Sequence, residues 1–333
     1  MKTLQESLFD IDDNIKNIDK DIKICIKQFL KDNFKGYSNC KISRNPNGDS
    51  KYEVSSKGPV EVKNKQITSL TNGLFIWTNV NGNFYCEHCN SLKSLEGAPK
   101  EVGEYFFCNH CNSLKSLEGA PEKVGGDFYC HYCDSLESLK GSPKEVGGYF
   151  DCSYCKSLKS LEGAPGKVGL NFNCSYCKSL KSLEGAPEKI GGSFNCRNCD
   201  SLTSLEGAPK EVGVTFYCDY CKSLKSLEGA PEKVGGDFKC SECISLTSLK
   251  GAPKEVGVDF YCTYCNSLIS LEGAPKEIYG YFGCYNCKSL KSLKGAPKKV
   301  HRDFICNDCG IEFTKEDVKK VSNVNGIIRN NKE

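Results

Sequence analysis

The sequence carries little net charge. Its 45 lysines and arginines nearly balance its 42 aspartates and glutamates, which leaves a formal charge of +3 at pH 7. Proteins that hold nucleic acid through its phosphates need a clustered basic surface. The near balance of charges therefore argues against a polyanionic partner, and we predict no nucleic-acid binding.

Long apolar segments are also missing. No run of residues approaches the roughly 20 apolar positions that a helix needs to cross a bilayer, so we predict no membrane association. The start, MKTLQESLFDIDDN, lacks the basic stretch and following apolar stretch of a secretory signal. We expect a cytoplasmic protein, in its own cell or in an infected host, and virion association is the alternative.

A third absence concerns chemistry. The sequence shows no phosphate-binding loop, no carboxylate dyad and no evident pairing of a nucleophile with a base. We therefore predict a protein that is not an enzyme and that needs no cofactor.

What the sequence does contain is a repeat of 22 residues. Each of eleven copies opens with F-x-C-x-x-C, and ten of them continue x-S-L-x-S-L-x-G-(A/S)-P-x-x-(V/I). A fixed period in this range is typical of a solenoid, in which each coil contacts only its neighbours. The opening phenylalanines are Phe84, Phe106, Phe128, Phe150, Phe172, Phe194, Phe216, Phe238, Phe260, Phe282 and Phe304.

The residue types within one coil predict its path. Phe and the first Cys alternate with a variable residue, which indicates a short strand with one face inward. The second Cys, both Leu, Ala and Val return to the interior, while Gly and Pro disfavour a helix on the return path. We predict a β-solenoid with a parallel ladder on its concave side, a non-helical convex side and short α-helices at the termini.

This coil resembles that of the leucine-rich repeat family, LxxLxLxxNxL. Phe stands at the second Leu position, the first Cys at the third and the second Cys at the Asn position, and the S-L-x-S-L-x-G-A-P tail is similar to the short bacterial type. The resemblance implies binding of a protein partner, of unknown identity, on the concave face. The chain also resembles repeat proteins of phage, viral and bacterial genomes. Because a thiol is a weaker hydrogen-bond partner than an Asn amide, we expect looser loops.

Cysteine is unusually abundant. Of 24 cysteines, 22 lie in the repeats as pairs, from Cys86/Cys89 to Cys306/Cys309. Their spacing, C-x2-C-x18-C-x2-C, suits a four-thiolate zinc site. Such a site would use two coils, however, eleven pairs would leave one over, and no two-coil alternation appears in the flanking residues. Structural free thiols are our main interpretation, with a zinc or iron–sulfur site and disulfides as alternatives.

The repeats divide the chain into four segments. Residues 1–36 form an N-terminal amphipathic helix or coiled coil, and residues 37–83 a β cap with a hairpin around 45–49 and a degenerate first coil from Val60. Residues 84–310 are the eleven repeats, and residues 311–333 a C-terminal cap helix and tail. Thr314 and Asp317 form an acidic capping box at the start of that helix.

Apolar residues of the first segment follow a heptad pattern. Alternating steps of four and three place them on one face of a helix. The simplest interpretation is a helix that lies on the solenoid, and the alternative is homo-oligomerisation through residues 4–29. Asp10, Asp12 or Asp13 could also cap a second helix start. The apolar positions are Leu4, Leu8, Ile11, Ile15, Ile18, Ile22, Cys25 and Phe29.

The variable positions are where recognition could lie. We predict that the residue after Phe and the two residues between the cysteines face outward on the strand side. Tyr132, Tyr154 and Tyr176 share one slot in consecutive coils and should stack. Tyrosine rows favour protein recognition, although aromatic residues also suit strand positions and pack on one another. The predicted partner-binding residues are Phe107, Tyr129, Tyr132, Tyr154, Tyr176, Tyr217, Tyr220, Tyr261 and Tyr264.

Three of the four histidines fall on the same surface. His88 and His110 share a slot in adjacent coils, and His131 lies in the next coil. A metal site or a pH-sensitive contact is one interpretation. Ordinary surface residues are the simpler one, because no carboxylate partner is evident.

Overall fold

Each 22-residue repeat forms one coil of a β-solenoid, as predicted. The structure is a computed structural model that describes residues 4–46 and 51–330, with the side chains of residue 15 onward in those ranges. We number coils 1–11 by their phenylalanines, from Phe84 to Phe304. In coil 4 the side chains of Val146, Phe150 and Cys152 are completely buried, and so are the second Cys and both Leu. The residues predicted to point inward therefore form the core, except for the repeat Ala, which is only partly buried in most coils.

One parallel ladder, here called the Phe ladder, runs the length of the solenoid. Neighbouring coils pair in register, so that Phe128 lies opposite Phe106 and Phe150. A short antiparallel strand closes its N-terminal edge. Its 14 strands, in sheet order, are Phe34–Lys35, Val60–Val62, Phe84–Tyr85, Phe106–Phe107, Phe128–Tyr129, Phe150–Asp151, Phe172–Asn173, Phe194–Asn195, Phe216–Tyr217, Phe238–Lys239, Phe260–Tyr261, Phe282–Gly283, Phe304–Ile305 and Ile328–Arg329.

The phenylalanine rings stack along this ladder. From Phe84 to Phe282 neighbouring ring centroids are 5.1–5.6 Å apart and the ring planes diverge by 5–23°. Every one of these rings is completely buried. Stacking of identical side chains explains why the 22-residue spacing never slips, since an inserted residue would take a ring out of the column.

A second parallel ladder, here called the Val ladder, follows the residues around the repeat valine and was not predicted. It is divided into sheets of seven, four and three strands. The strands are Cys40–Arg44, Tyr52–Ser56, Phe75–Val80, Glu101–Val102, Lys123–Val124, Glu145–Val146 and Lys167–Val168; then Lys189–Ile190, Glu211–Val212, Lys233–Val234 and Glu255–Val256; then Glu277–Ile278, Lys299–Val300 and Asn323–Val324.

Charges alternate from coil to coil along the Val ladder. The residue before Val is Glu, then Lys, then Glu, and oppositely charged neighbours form ion pairs such as Lys167–Glu145 at 2.7 Å and Lys189–Glu211 at 3.0 Å. The sequence therefore does contain a two-coil alternation. The alternating residues lie beside the valines. The prediction considered only the residues that flank the cysteines, where no alternation occurs.

The ladder is interrupted where this alternation fails. Lys167 is followed by Lys189, and Glu255 by Glu277, and these are the two junctions between its three sheets. A Cβ atom added to Gly169 would lie 2.0 Å from the Gly147 carbonyl oxygen, but at the first junction the corresponding distance, from Gly191 to Gly169, is 3.1 Å. Like charges directly opposite each other destabilise strand pairing, which accounts for the wider spacing there.

The N-terminal helix α1, Leu4–Asn33, is a single helix of 30 residues within the segment 1–36 that was predicted to be helical. Ile26 and Leu30 are buried, and Phe29 packs against Phe34 and Phe75 in the N-terminal cap. The apolar stripe continues beyond the cap, where Ile18 is 59% exposed. The side chains of Leu4, Leu8 and Ile11, which belong to the same predicted heptads, lie outside the described residues.

A β-hairpin and a short helical turn complete the N-terminal cap. The predicted hairpin forms between Cys40–Arg44 and Tyr52–Ser56, with Arg44 opposite Tyr52, and residues 47–50 of its turn lie outside the described residues. A 3-10 helix spans Tyr37–Asn39. Trp77 is buried and donates its Nε1–H to the Leu70 carbonyl oxygen at 3.1 Å.

The C-terminal end carries helix α2, Lys315–Val321. Thr314 and Asp317 form the predicted capping box, in which each side chain accepts a hydrogen bond from the backbone of the other residue. The chain then adds one further strand to each ladder, including Ile328–Arg329. These strands were missed because their sequence has neither Phe nor Cys. Among the described residues, neither helix is long and apolar enough to cross a membrane.

Candidate interaction surface

The strand side of each coil ends in a tight turn. The strand includes only Phe and the next residue, and the two residues between the cysteines form the turn. In all eleven coils the second of these residues has a positive φ, between 55° and 62°. Tyr132, Tyr154, Tyr176, Tyr220 and Tyr264 occupy this position, in the turn that follows the strand and not in the strand itself. Their backbones still bond to the next coil, as the Tyr132 N–H does to the Ser153 carbonyl oxygen at 3.0 Å.

The first residue between the cysteines also differs from expectation. We predicted that it faces outward, but Asn109, Ser153, Ser175, Asp219 and Thr263 are at least 94% buried at this position. In the other six coils the residue at this position is partly exposed. The position therefore contributes exposed area in only some of the coils.

Two columns of rings form on this side of coils 1–5, and together they are called the aromatic surface. The shorter column stacks rings at 4.8 and 4.9 Å between centroids, and the longer one at 4.3–4.8 Å. The predicted stacking of Tyr132, Tyr154 and Tyr176 is thus observed. The shorter column consists of Tyr85, Phe107 and Tyr129, and the longer one of His88, His110, Tyr132, Tyr154 and Tyr176.

The remaining predicted tyrosines do not join these columns. Tyr217 and Tyr261 lie two coils apart, with Lys239 between them at 5.6 and 5.5 Å from their ring centroids. Arg197 covers Tyr217 at 4.2 Å. In the left-handed slot, Tyr220 stands between non-aromatic residues and is 45% exposed. Tyr264 meets Tyr285 edge-on at 5.6 Å. The second half of the solenoid therefore carries single rings and ring pairs but no continuous column, and the chain's own cations cover Tyr217, Tyr261 and Tyr281.

The two halves also differ in their basic residues. We define the strand-side segment of a coil as the residues from two positions before Phe to the second Cys. In coils 1–5 these segments contain four carboxylates and no lysine or arginine, whereas those of coils 6–11 contain six carboxylates and three basic residues. The aromatic surface is therefore acidic. Its carboxylates are Glu87, Glu104, Asp127 and Asp151.

Hydrogen bonds hold several of these groups in place. The Tyr129 hydroxyl donates to Asp127 Oδ2 at 2.9 Å, and burial together with this bond raises the pKa of Tyr129 to about 12. Asp151 Oδ1 accepts the backbone N–H of Ser153 at 2.9 Å, and its Oδ2 lies 3.7 Å from Nδ1 of His131. The phenol and both carboxylates are thus fixed before any partner arrives.

The three histidines meet at the start of the longer column. His88 stacks on His110 at 4.6 Å, and His131 meets His110 edge-on at 5.9 Å. Partial burial is the larger of two causes that lower the pKa of His110, and the neighbouring imidazoles of His88 and His131 are the other. At neutral pH the His110 ring is therefore uncharged, like the tyrosine rings that follow it in the column.

The repeat thiols are enclosed behind this surface, and all 24 cysteines are free. From coil 2 onward, the second thiol of each coil donates to the carbonyl oxygen of the first cysteine one coil earlier, at 3.1–3.3 Å, as Cys177 does to Cys152. The thiol thus satisfies a loop carbonyl as the family's Asn amide would, so the predicted loosening has no structural basis at this carbonyl.

Burial changes the acidity of these thiols. It raises the pKa of Cys133 and Cys177 to about 12. At the two ends of the array, hydrogen bonds from neighbouring thiols lower the pKa of Cys89 and Cys309. No group of three or more Cys, His, Asp or Glu suited to a metal ion occurs among the described residues.

No family model matches the chain, and no curated protein does. Among solved structures, the chain is similar to a crystal structure of a leucine-rich repeat protein from Bacteroides ovatus ATCC 8483. The two chains are 16% identical, the similarity covers 88% of this chain and 98% of the other, and the TM-score is 0.28. At this TM-score the similarity carries no argument about function. No comparison supports the resemblance to phage or viral proteins.

Proposed function

We propose that this protein is a non-enzymatic binding module that holds another protein on its aromatic surface. The observation that carries the proposal is the five-ring column from His88 to Tyr176. Rigid aromatic side chains offer a large contact area at a low entropic cost, and such residues dominate protein interfaces. Here the rings are already ordered by stacking, which reduces that cost further.

Two further features support a binding rather than a catalytic role. Burial raises the pKa of most repeat thiols, which makes these abundant nucleophiles unreactive. The backbone of Tyr132, Tyr154 and Tyr176 has a left-handed conformation, which tyrosine rarely adopts. A side chain with a left-handed preference, such as Asn, would stabilise the turn better, and Asn198 and Asn286 occupy the same slot in other coils. Tyrosine at this position therefore serves something other than the fold.

The experiment replaces Tyr132, Tyr154 and Tyr176 together by Asn. Because Asn occurs naturally in this slot, the variant should remain folded. The matched control replaces Tyr220 and Tyr264 by Asn, which changes the same slot outside the column. Quantitative affinity capture from extracts of the source organism should lose specific partners with the triple variant and retain them with the control. Equal capture by the two variants would contradict the proposal.

A second candidate function is a structural scaffold that self-associates through α1. It is favoured by the exposed apolar residues Ile15 and Ile18, which continue the stripe beyond the part that covers the cap. Sedimentation of the full chain and of an Ile15→Lys, Ile18→Lys variant tests it. A change from oligomer to monomer is expected, and a wild-type chain that is monomeric at high concentration would exclude it. Deleting the helix is unsuitable because Ile26 and Leu30 belong to the core.

A further inference from the structure

A row of exposed apolar side chains lies at the bend between the two ladders, two residues before Phe in coils 5, 7 and 9. Leu170, Val214 and Val258 are 56%, 50% and 44% exposed there. The same position holds the charged residues Glu104 and Arg302 nearer the ends of the solenoid. The fold therefore accepts a polar side chain at this position and does not require the three apolar ones, here called the corner row.

Glycine occupies this position in the coils between the members of the corner row. A Cβ atom added to Gly192 or Gly236 would lie 2.6 Å from the carbonyl oxygen of the preceding corner-row residue, so the fold leaves no side chain in these gaps. Neighbouring corner-row residues are two coils apart, about 9.6 Å at the usual strand spacing. Each gap is therefore wide enough to receive one side chain from a partner.

A row of charges accompanies the corner row, three residues earlier in each coil. It consists of the residues before the valine or isoleucine of the Val ladder and is here called the charged row. From coil 4 to coil 11 its signs are −, +, +, −, +, −, −, +, and this order is unchanged when it is read backwards with every sign exchanged. Two antiparallel copies can therefore face each other with every charge opposite one of the other sign. The residues are Glu145, Lys167, Lys189, Glu211, Lys233, Glu255, Glu277 and Lys299.

One antiparallel register satisfies both rows. With coil 7 of one copy opposite coil 8 of the other, Val214 faces Gly236, the other two corner-row residues also face glycines, and all eight charges face opposite charges. A shift by one coil sets corner-row residues against each other. A shift by two coils in either direction keeps them opposite glycines but opposes like charges, such as Lys167 and Lys233.

The charges can take part in such a contact although they also pair along the ladder. The side chain of Glu211 is 52% exposed beside Lys189, and that of Lys233 is 61% exposed beside Glu255. A carboxylate has two acceptor oxygens and an ammonium has three donors, so a bond along the ladder leaves groups for one across an interface. Exposed pairs of this kind add little affinity and mainly decide between registers.

We propose that two copies of this chain form an antiparallel dimer through the corner row and the charged row, with a two-fold axis between coils 7 and 8. At about 4.8 Å per coil, coils 4–11 form a strip roughly 34 Å long, which suits a small specific interface and not an obligate one. We therefore expect a dimer that dissociates in the micromolar range. The interface uses neither the aromatic surface nor α1, so the inference is independent of the proposed function.

Sedimentation velocity of the full chain tests the dimer with two charge variants. Glu211→Lys and Lys233→Glu each place like charges opposite each other at the centre of the dimer, so each variant alone should dimerise at least about tenfold more weakly. A mixture of the two should restore the dimer, because position 211 of each chain then meets the opposite charge at position 233 of the other. A fold damaged by the substitutions would not recover on mixing.

A third variant, Val214→Lys, tests the corner row. It should also weaken dimerisation at least about tenfold, since a charge enters the apolar contact. The matched control is Ile269→Lys, which changes a residue that is 58% exposed on the return path of the coil, and it should have no effect. The Ile15→Lys, Ile18→Lys variant of α1 should leave this dimer intact.

The inference is overturned if the wild-type chain is monomeric at about 100 µM, if the two charge variants do not restore each other, or if Val214→Lys dimerises like the wild type. Loss of the dimer in the α1 variant would also overturn it and would assign self-association to the helix. Capture of another protein by the tyrosines is measured separately, so the proposed function survives each of these results.

Discussion

The two ladders of this solenoid follow the same coils but are held together differently. The Phe ladder is continuous over 14 strands and is backed by a stack of buried identical rings and by a row of thiols. The Val ladder also has a row of buried valines and isoleucines, but its exposed residues alternate in charge, and it is interrupted at both places where like charges meet. Pairing on the Phe side is therefore the same in every coil, whereas pairing on the Val side also varies with the order of the coils.

Alkaline pH should disrupt the Phe side most strongly. A thiol whose pKa rises from about 8.5 in the unfolded chain to about 12 in the fold, as at Cys177, stays protonated while the unfolded chain ionises. Stability is therefore full below the unfolded pKa and falls as pH rises above it, by about 1.4 kcal/mol per pH unit for each such thiol.

Because the pKa of most repeat thiols is raised in this way, we expect cooperative unfolding between about pH 9 and 10. Circular dichroism under reducing conditions measures this transition. Iodoacetamide at pH 8 should modify exposed Cys25 well before the buried thiols. A fold that is intact at pH 11, with its thiols still protected, would show that fewer thiols have a raised pKa than the structure indicates.

Removing one ring from the column is the next largest perturbation. Phe194 stacks on Phe172 and Phe216 at 5.3 and 5.4 Å, and Phe194→Ala should lower the free energy of unfolding by about 3–5 kcal/mol. Denaturant unfolding measures the change. Val212→Ala, on the Val ladder in the next coil, is the control and should cost clearly less because fewer buried atoms are lost. Equal costs would mean that the ladders are equally important.

The thiol hydrogen bond can be isolated with two substitutions of equal size. Cys199 donates to the Cys174 carbonyl oxygen at 3.3 Å. Threonine at position 199 can still donate, whereas valine cannot and leaves that carbonyl unsatisfied. We expect Cys199→Val to be less stable than Cys199→Thr by about 1–3 kcal/mol in chemical denaturation. If the two variants are equally stable, the thiol acts only by filling space.

The smallest effect concerns the charges. Glu211→Lys would place four lysines in successive coils, at 167, 189, 211 and 233, and lengthen the first interruption of the Val ladder. The expected loss is about 0.2–1 kcal/mol at low salt and less at high salt, because these groups are exposed. Hydrogen exchange should speed up at Gly213 and not at the amides of the Phe ladder. Glu162→Lys, at an exposed position outside this row, changes the net charge equally and provides the control.

The core was predictable because its residues are repeated. Phe, Cys, Leu and Val recur at fixed positions, and their burial follows from hydrophobicity and strand alternation alone. The left-handed turn was less evident, although Asn198, Asn286 and Asp308 in the tyrosine slot were a usable signal, since these residue types favour that conformation. The Val ladder was missed because its strands have only two residues, too short for any periodicity.

The surface was predicted only in part. Tyrosines at the same repeat position in consecutive coils were predicted to stack, because the coils pair in register. They did not tell us that Lys239 lies between Tyr217 and Tyr261, or that Asp219 is buried, since both depend on side chains contributed by neighbouring coils. Such contacts cross 22 residues of sequence and become readable only once the ladder register is known.

The alternating charges repeat every two coils of the solenoid. Within an alternating block, adding or removing two coils would keep neighbouring charges opposite in sign, whereas adding or removing one inner coil would bring two like charges together. The structural repeat is 22 residues, but the electrostatic repeat is twice that. At the Lys167/Lys189 and Glu255/Glu277 junctions, two neighbouring coils carry the same charge and the alternation is broken. They divide the chain into blocks that could be exchanged between such proteins without creating a new mismatch.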